Sequence, residues 1–258
     1  MDYMQNIIGT FVILLGLVVG SFLNVVIYRV PQKLTVVKGS SFCPACRHNL
    51  EWIDMIPVFS FLFLGGKCRY CKEPINFRYP VVELLNALCY LLVYLVYGLE
   101  FVTIFYAVAA SCLIVLAMID IDTKEIPDRF NIAIFACGVG AAFLQQGGVS
   151  LSSRLVGLFC ISVPLFGISL LTNGIGEGDI KLFAACGFLL GWQLTLFTLL
   201  LSSVCAAVFG IGLMIARKAE GKTQLAFGPF IALSAMVALL AGDALIKWYM
   251  NWIMSLVK

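Results

Sequence analysis

Long apolar runs set the first limit on what this chain can fold into. Residues 6–27 form one, long enough as a helix to cross a hydrocarbon core of roughly 30 Å. Seven more follow: 81–97, 101–119, 130–144, 155–171, 180–190, 192–216 and 230–241. Such runs are satisfied in lipid only as helices or closed barrels, and runs of this length predict helices. The expected fold is an all-α polytopic integral membrane protein with about eight transmembrane helices. The 180–190 run is short; it predicts thinning of the bilayer, little tilt, or continuity with its neighbour. Residues 243–258, with Trp248, Tyr249 and Trp252, read as an interfacial continuation.

Only 12% of residues are charged, against about 25% in soluble domains. A net charge of +3 is too small to suggest a nucleic-acid partner. The first run lacks a basic start and a small-residue cleavage site, so it does not read as a cleaved signal peptide. Asn24, near its end, predicts an interhelical hydrogen bond.

Residues 30–79 are the one long polar segment. Basic residues crowd it, and the positive-inside rule places it in the cytoplasm. The alternation that follows puts 98–100 and 145–154 outside, and 120–129, 173–179 and 217–225 inside. Fourteen of the seventeen Lys and Arg then face inward; Arg154, Lys247 and Lys258 do not. Within the loop stand two CxxC pairs, Cys43/Cys46 and Cys68/Cys71, with 21 residues between them. This is close to zinc-ribbon spacing and can close a tetrahedral thiolate site. The other reading is a pair of unmetallated or redox-active dithiols; a reducing cytoplasm argues against two disulfides. His48 reads as a surface residue, since four thiols complete a shell. The stretch 52–64 is apolar but too short to span, and reads as lying on the membrane surface or re-entering it. The other six cysteines lie in apolar runs and read as small hydrophobes.

Carboxylates at the ends of apolar runs are the main chemical signal. Asp120, Asp122, Glu125 and Asp128 cluster after the third run, with Pro127 limiting helix continuation. Gly176-Glu177-Gly178-Asp179 opens the sixth, where glycines allow positive φ or close approach of the backbone. Acids at membrane depth are costly and rare unless used. The topology places Asp120 and Asp179 on one side at similar depth, near opposite helix ends and so in unlike electrostatic surroundings. Such a pair can divide the roles of general acid and general base. Each acid alone is also an ordinary helix-end or solvated residue. Asp122, Glu125, Asp128 and Glu177 read as solvated or paired to Lys124, Arg129 and Lys181. Glu83, inside the second run, either pairs with Arg78 or Arg29 or holds a substrate amine. One histidine, in the wrong region, leaves serine or cysteine proteolysis without support, and HExxH is absent.

The stretches GSFLNVVIYRVP at 20–31, FRYPVVELLNA at 77–87, DIDTKEIPD at 120–128, GEGDIKL at 176–182 and FGPF at 227–230, together with the two CxxC pairs, run from residue 20 to 230. In this order they closely resemble the type IV prepilin leader peptidase/N-methyltransferase family, GxGD-type aspartic proteases of bacterial inner membranes. The resemblance implies cleavage of a short basic leader from prepilins or type II secretion pseudopilins, after a glycine, at the cytoplasmic face. It implies methylation of the new N-terminal amine by S-adenosylmethionine. It places the catalytic aspartates on Asp120 and Asp179. It places the family's cysteine loop on Cys43, Cys46, Cys68 and Cys71, with Gly66 and Lys67 before the third cysteine, and ties that loop to methyl transfer. Gly66, Lys67 and Glu83 are the methyl-transfer candidates; no Gly-rich loop locates a site for the methyl donor. The expected division is 1–28 first helix, 29–79 cytoplasmic cysteine loop and 80–258 peptidase core. Expected partners are prepilins or pseudopilins and membrane lipid; oligomeric state is not set by the sequence. Competing readings are a proton-coupled transporter using the same carboxylates and a zinc-bearing assembly scaffold.

Overall fold

A computed structural model describes residues 2–37, 39–144, 148–172, 174, 176–216 and 225–256. Arg217, Lys218 and Lys222 of the expected inner loop, and Lys38 and Lys258 from the charge count, lie outside the described residues. The described chain is helical apart from loops and two isolated backbone bridges. It separates into two compact units, 1–99 and 100–258.

In the first unit, α1 (Asp2–Arg29) and α3 (Arg78–Tyr97) pack against each other, and the short α2 (Phe59–Phe63) lies in the loop between them. Gly16 and Gly20 let the two helices touch. A Cβ on Gly16 would stand 2.6 Å from the Ala87 Cα, and one on Gly20 2.7 Å from the Glu83 Cα. Small residues four apart permit this approach in lipid, where apolar burial drives little association. Two asparagines pin the register. Asn24 Nδ2 donates to the Tyr79 carbonyl at 3.1 Å, the interhelical bond expected of it, and Asn86 Nδ2 donates to the Gly16 carbonyl at 2.8 Å. Arg78–Tyr97 falls in this unit, whereas the sequence division grouped it with the helices carrying the aspartates.

The second unit holds α4 (Phe101–Thr123), α5 (Asp128–Phe143), α6 (Leu151–Cys160), α7 (Ser162–Thr172), α8 (Glu177–Leu190), α9 (Trp192–Ile215) and α10 (Gly228–Leu256). Its centre is α8, packed against α5, α6, α7, α9 and α10 and buried almost throughout from Ile180 to Leu190. Its 14 residues rise only about 21 Å, less than a bilayer core. Protein on its flanks, rather than lipid, allows its ends to lie short of both surfaces. It passes into α9 through the single residue Gly191, at φ +83, so it joins its neighbour as one of the expected alternatives had it. At that end Arg154, fully buried, donates from Nη1 to the carbonyls of Phe188 (3.1 Å) and Leu189 (2.7 Å). The last carbonyls of a helix lack intrahelical partners, and a cation there suits the macrodipole. Arg154 is thus a buried cap rather than a residue of an outer loop.

Among the described residues, six helices or helix pairs are long and apolar enough to cross a membrane: Met4–Arg29, Arg78–Tyr97, Phe101–Thr123, Leu151–Thr172, Trp192–Ile215 and Gly228–Ser255. The chain is a multi-pass membrane protein of the expected class, with α5 and α8 as two shorter helices among the eight expected. The Leu151–Thr172 span breaks at Ile161 into α6 and α7, because Pro164 has no N–H for the Cys160 carbonyl. The expected interfacial tail is a continuation of α10, one unbroken helix.

Candidate active site and metal centre

Asp120 sits in the last turn of α4, 4% exposed. The helix runs three residues beyond it and closes at Lys124 in the left-handed conformation (φ 57), whose N–H donates to the Asp120 carbonyl at 2.8 Å. Pro127 does not end α4; it is the N-cap of α5, so the expected loop of ten residues shrinks to 124–127. Within it Ile126 turns inward, the one apolar side chain among the acids.

Asp179 lies in the first turn of α8, behind Gly176 as N-cap. The glycines of this stretch serve close approach and not positive φ: Gly176 has φ −65, and Gly178 is helical. A Cβ on Gly178 would stand 2.7 Å from the Ile126 Cβ. The start of α10 closes the same cluster. The Gly228 N–H donates to Asp120 Oδ2 at 2.9 Å, and a Cβ there would meet that oxygen at 2.7 Å and Ile126 Cδ1 at 3.2 Å. Ile126 is therefore the floor shared by the two acid-bearing elements. Asp179 Oδ1 is buried with no hydrogen-bond partner among the described residues. One carboxylate is held by a backbone donor and its neighbour keeps an oxygen free for a water or a substrate group.

The other acids stand apart. Asp122, Glu125 and Glu177 are exposed, and Asp128 accepts from Lys181 Nζ on both oxygens at 3.0 Å. Sequence reasoning missed Gly228 and Ile126. Their signals were present: FGPF places a glycine at the start of an apolar run, and the loop 124–127 holds a lone isoleucine, Ile126, between Glu125 and Pro127.

In the first unit the two CxxC pairs fold alike. Cys43 N–H donates to the His48 carbonyl and Cys68 N–H to Glu73, both at 2.9 Å. Arg47 and Lys72 follow their pairs at φ 58 and φ 61. Backbone bridges join Phe42 to Asn49 and Lys67 to Pro74, and Leu50 and Ile75 donate to Ser41 and Gly66. Every element of one knuckle recurs in the other at a constant offset. The four sulfurs lie within 4.8 Å of one another, and Cys43 Sγ is 3.9 Å from Cys71 Sγ. A tetrahedron of about 2.3 Å metal–sulfur bonds has edges of about 3.8 Å, so the set fits a metal ion. The Cys71 backbone N–H, ahead of lesser contributions, holds the Cys68 thiol down to about 7, toward the thiolate a metal requires. His48 is exposed as expected and stacks on Tyr70, with ring centres 3.6 Å apart.

Gly66 (φ 70) and Lys67 belong to the backbone of the second knuckle, and Gly66 abuts the Phe61 ring. Among the described residues Glu83 has no arginine partner; its Oε2 accepts from the Val58 N–H at 2.7 Å. Val58 itself has φ 63, with Phe59 N–H donating back to the Pro57 carbonyl at 2.6 Å, a γ-turn costly for a β-branched residue. The buried carboxylate thus holds a strained turn at the head of α2. From this turn Trp52, Phe59, Leu62 and Phe63 project outward, in the stretch read as too short to span.

The model described as the bacterial peptidase A24 N-terminal domain matches residues 14–97, and that of the type IV leader peptidase family matches 107–211. Proteins named prepilin leader peptidase/N-methyltransferase are similar over most of their length. That of Aeromonas salmonicida is 34% identical over 94% of each chain, and that of Pseudomonas aeruginosa 33% over 98% of each. The Bacillus subtilis protein is 34% identical over 92% of this chain and 95% of its own. This chain belongs to the type IV leader peptidase family. No solved structure matches it significantly. Within the family assignment the two matched regions fall on either side of the boundary between the structural units. The four cysteines lie in the first and both aspartates in the second.

Proposed function

We propose that the chain removes the leader peptide from prepilins or type II secretion pseudopilins and then methylates the new N-terminus. The observation that carries cleavage is that Ile126 joins the elements bearing Asp120 and Asp179, with Asp179 Oδ1 buried and unpartnered among the described residues. In this reading one aspartate is ionised and takes a proton from water as the water oxygen adds to the carbonyl carbon of the last leader glycine. The other, protonated, gives its proton to the leaving amine as the C–N bond breaks. The Gly228 N–H holds Asp120 in one orientation throughout. Leader removal occurs at the cytoplasmic face of the inner membrane, in keeping with the basic residues around the cysteine loop and the carboxylates.

Methyl transfer is assigned to the first unit, with S-adenosylmethionine as donor and Gly66, Lys67 and Glu83 as its candidate residues. The separate N-terminal family match over 14–97, which holds all three, supports this. Cys43, Cys46, Cys68 and Cys71 would hold zinc in a structural role, fixing both knuckles and supplying no reacting group. Incubating the purified protein with a prepilin, with and without S-adenosylmethionine, and weighing the products tests both activities. The expected masses are those of the mature pilin and of the same chain plus one methyl. An uncut prepilin overturns the reading. A reporter fused after Leu50 should read cytoplasmic and one after Gly148 periplasmic.

A further inference from the structure

The second unit carries a cleft of about 370 Å³ between α5, α6 and α8, on a side of α8 that the carboxylates do not use. Lys181, Ala184 and Ala185 line it from α8. Asp179, two residues before Lys181, points about 200° away around the helix. The walls are otherwise apolar, with Phe135 from α5 and Leu158 from α6, and the Asp128–Lys181 ion pair stands at the rim. One lining residue is out of place. Asn131 is 5% exposed, yet neither its Nδ2 nor its Oδ1 has a hydrogen-bond partner among the described residues. An unpaired buried amide is costly, and native structures rarely keep one without a use.

We propose that this cleft docks an extended stretch of polypeptide main chain, read by the Asn131 side chain. A side-chain amide needs an acceptor and a donor at once. A residue of an extended chain supplies both on one edge: its carbonyl accepts from Nδ2 and its own N–H donates to Oδ1. Phosphate and ester oxygens of a lipid supply acceptors alone and leave Oδ1 unpaired. The apolar walls suit the side chains of such a segment, and the exposed ion pair suits its passage to water. Resting on the proposed function, the occupant is a stretch of the prepilin outside the bond that is cut, so the cleft acts as an exosite.

The test uses the full chain in nanodiscs of phosphatidylethanolamine and phosphatidylglycerol with intact prepilin. Asn131→Leu should raise KM about tenfold, the order expected for two net hydrogen bonds, with kcat within twofold. Ala184→Phe, which narrows the cleft and leaves Asn131 in place, should do the same. If Asn131 is only a structural residue, the leucine variant keeps its KM and melts no lower, and the proposal fails. A benzophenone amino acid in place of Ile132, on the cleft wall, should cross-link to prepilin and lose that product to excess unlabelled prepilin. Cross-links to phospholipid alone overturn the proposal. The cross-link is read whether or not the leader is cut, so an uncut prepilin that still cross-links fails the proposed function and not the exosite.

Discussion

Two aspartates at ends of apolar runs became a pair only through residues that carry no charge. Ile126 lies against the glycines of both neighbouring elements, and Gly228 supplies a hydrogen bond that fixes one carboxylate. If Asp120 and Asp179 work as one unit, Asp120→Asn and Asp179→Asn should each lower kcat for leader removal at least about 100-fold, and the double variant should add little. Asp122→Asn is the control and should keep its rate; equal rates in all of these variants would end the aspartyl reading. The pH–rate profile should be bell-shaped, its two limbs belonging to the pair. Gly228→Ala tests the orienting bond. A methyl 2.7 Å from Asp120 Oδ2 must move that carboxylate, and a shift near 1 Å can cost about 100-fold in kcat. KM should change little, since the change touches no docking surface. The sequence showed which acids to suspect, because charge at membrane depth is conspicuous. It did not show their neighbours, because an isoleucine and a glycine look ordinary until the chain is folded.

At the scale of elements, the two knuckles and the buried helix α8 show what patterns can and cannot reveal. CxxC spacing announced four convergent thiols, since ligand chemistry is written in residue identity. The repeat of the whole knuckle, down to the left-handed residues Arg47 and Lys72, was hidden because backbone shape does not require like side chains. Replacing Cys43 and Cys46 with serine should remove about one bound zinc per chain, measured by elemental analysis. Methylation should fail while leader removal persists, because both aspartates lie in the other unit. Normal methylation by that variant would part the loop from the transferase. Arg154 was read as an exception to the charge bias and is a helix cap. Arg154→Leu leaves the Phe188 and Leu189 carbonyls unpaired, at about 1–3 kcal/mol for each buried group. The variant should melt lower in detergent; an unchanged melting temperature would show the cap to be dispensable.

Across the whole molecule, hydropathy disclosed the class and nearly all the helices. It erred where sequence composition is silent: at the kink before Pro164, in the lengths of loops, and in whether a short apolar run is covered by lipid or by protein. That last distinction bears on how the protein meets its surroundings. The helix that carries Asp179 in its first turn is too short to reach across a bilayer, and its far end rests on an arginine within the protein. The depth of the Asp179 carboxylate is therefore set against neighbouring helices and not against the lipid. Long helices answer a thicker or thinner bilayer by tilting or by deforming it, at a cost that grows with each ångström of mismatch. A covered helix has no such contact to answer with. Leader removal in vesicles of 14-, 18- and 22-carbon acyl chains (about seven ångströms of change per step, four carbons in each leaflet, in a core of roughly 30 Å) should therefore keep nearly the same kcat. A steep optimum at one chain length would mean that the bilayer, after all, positions the acids. The expected constancy would let one enzyme work unchanged as a cell remodels its lipids with temperature.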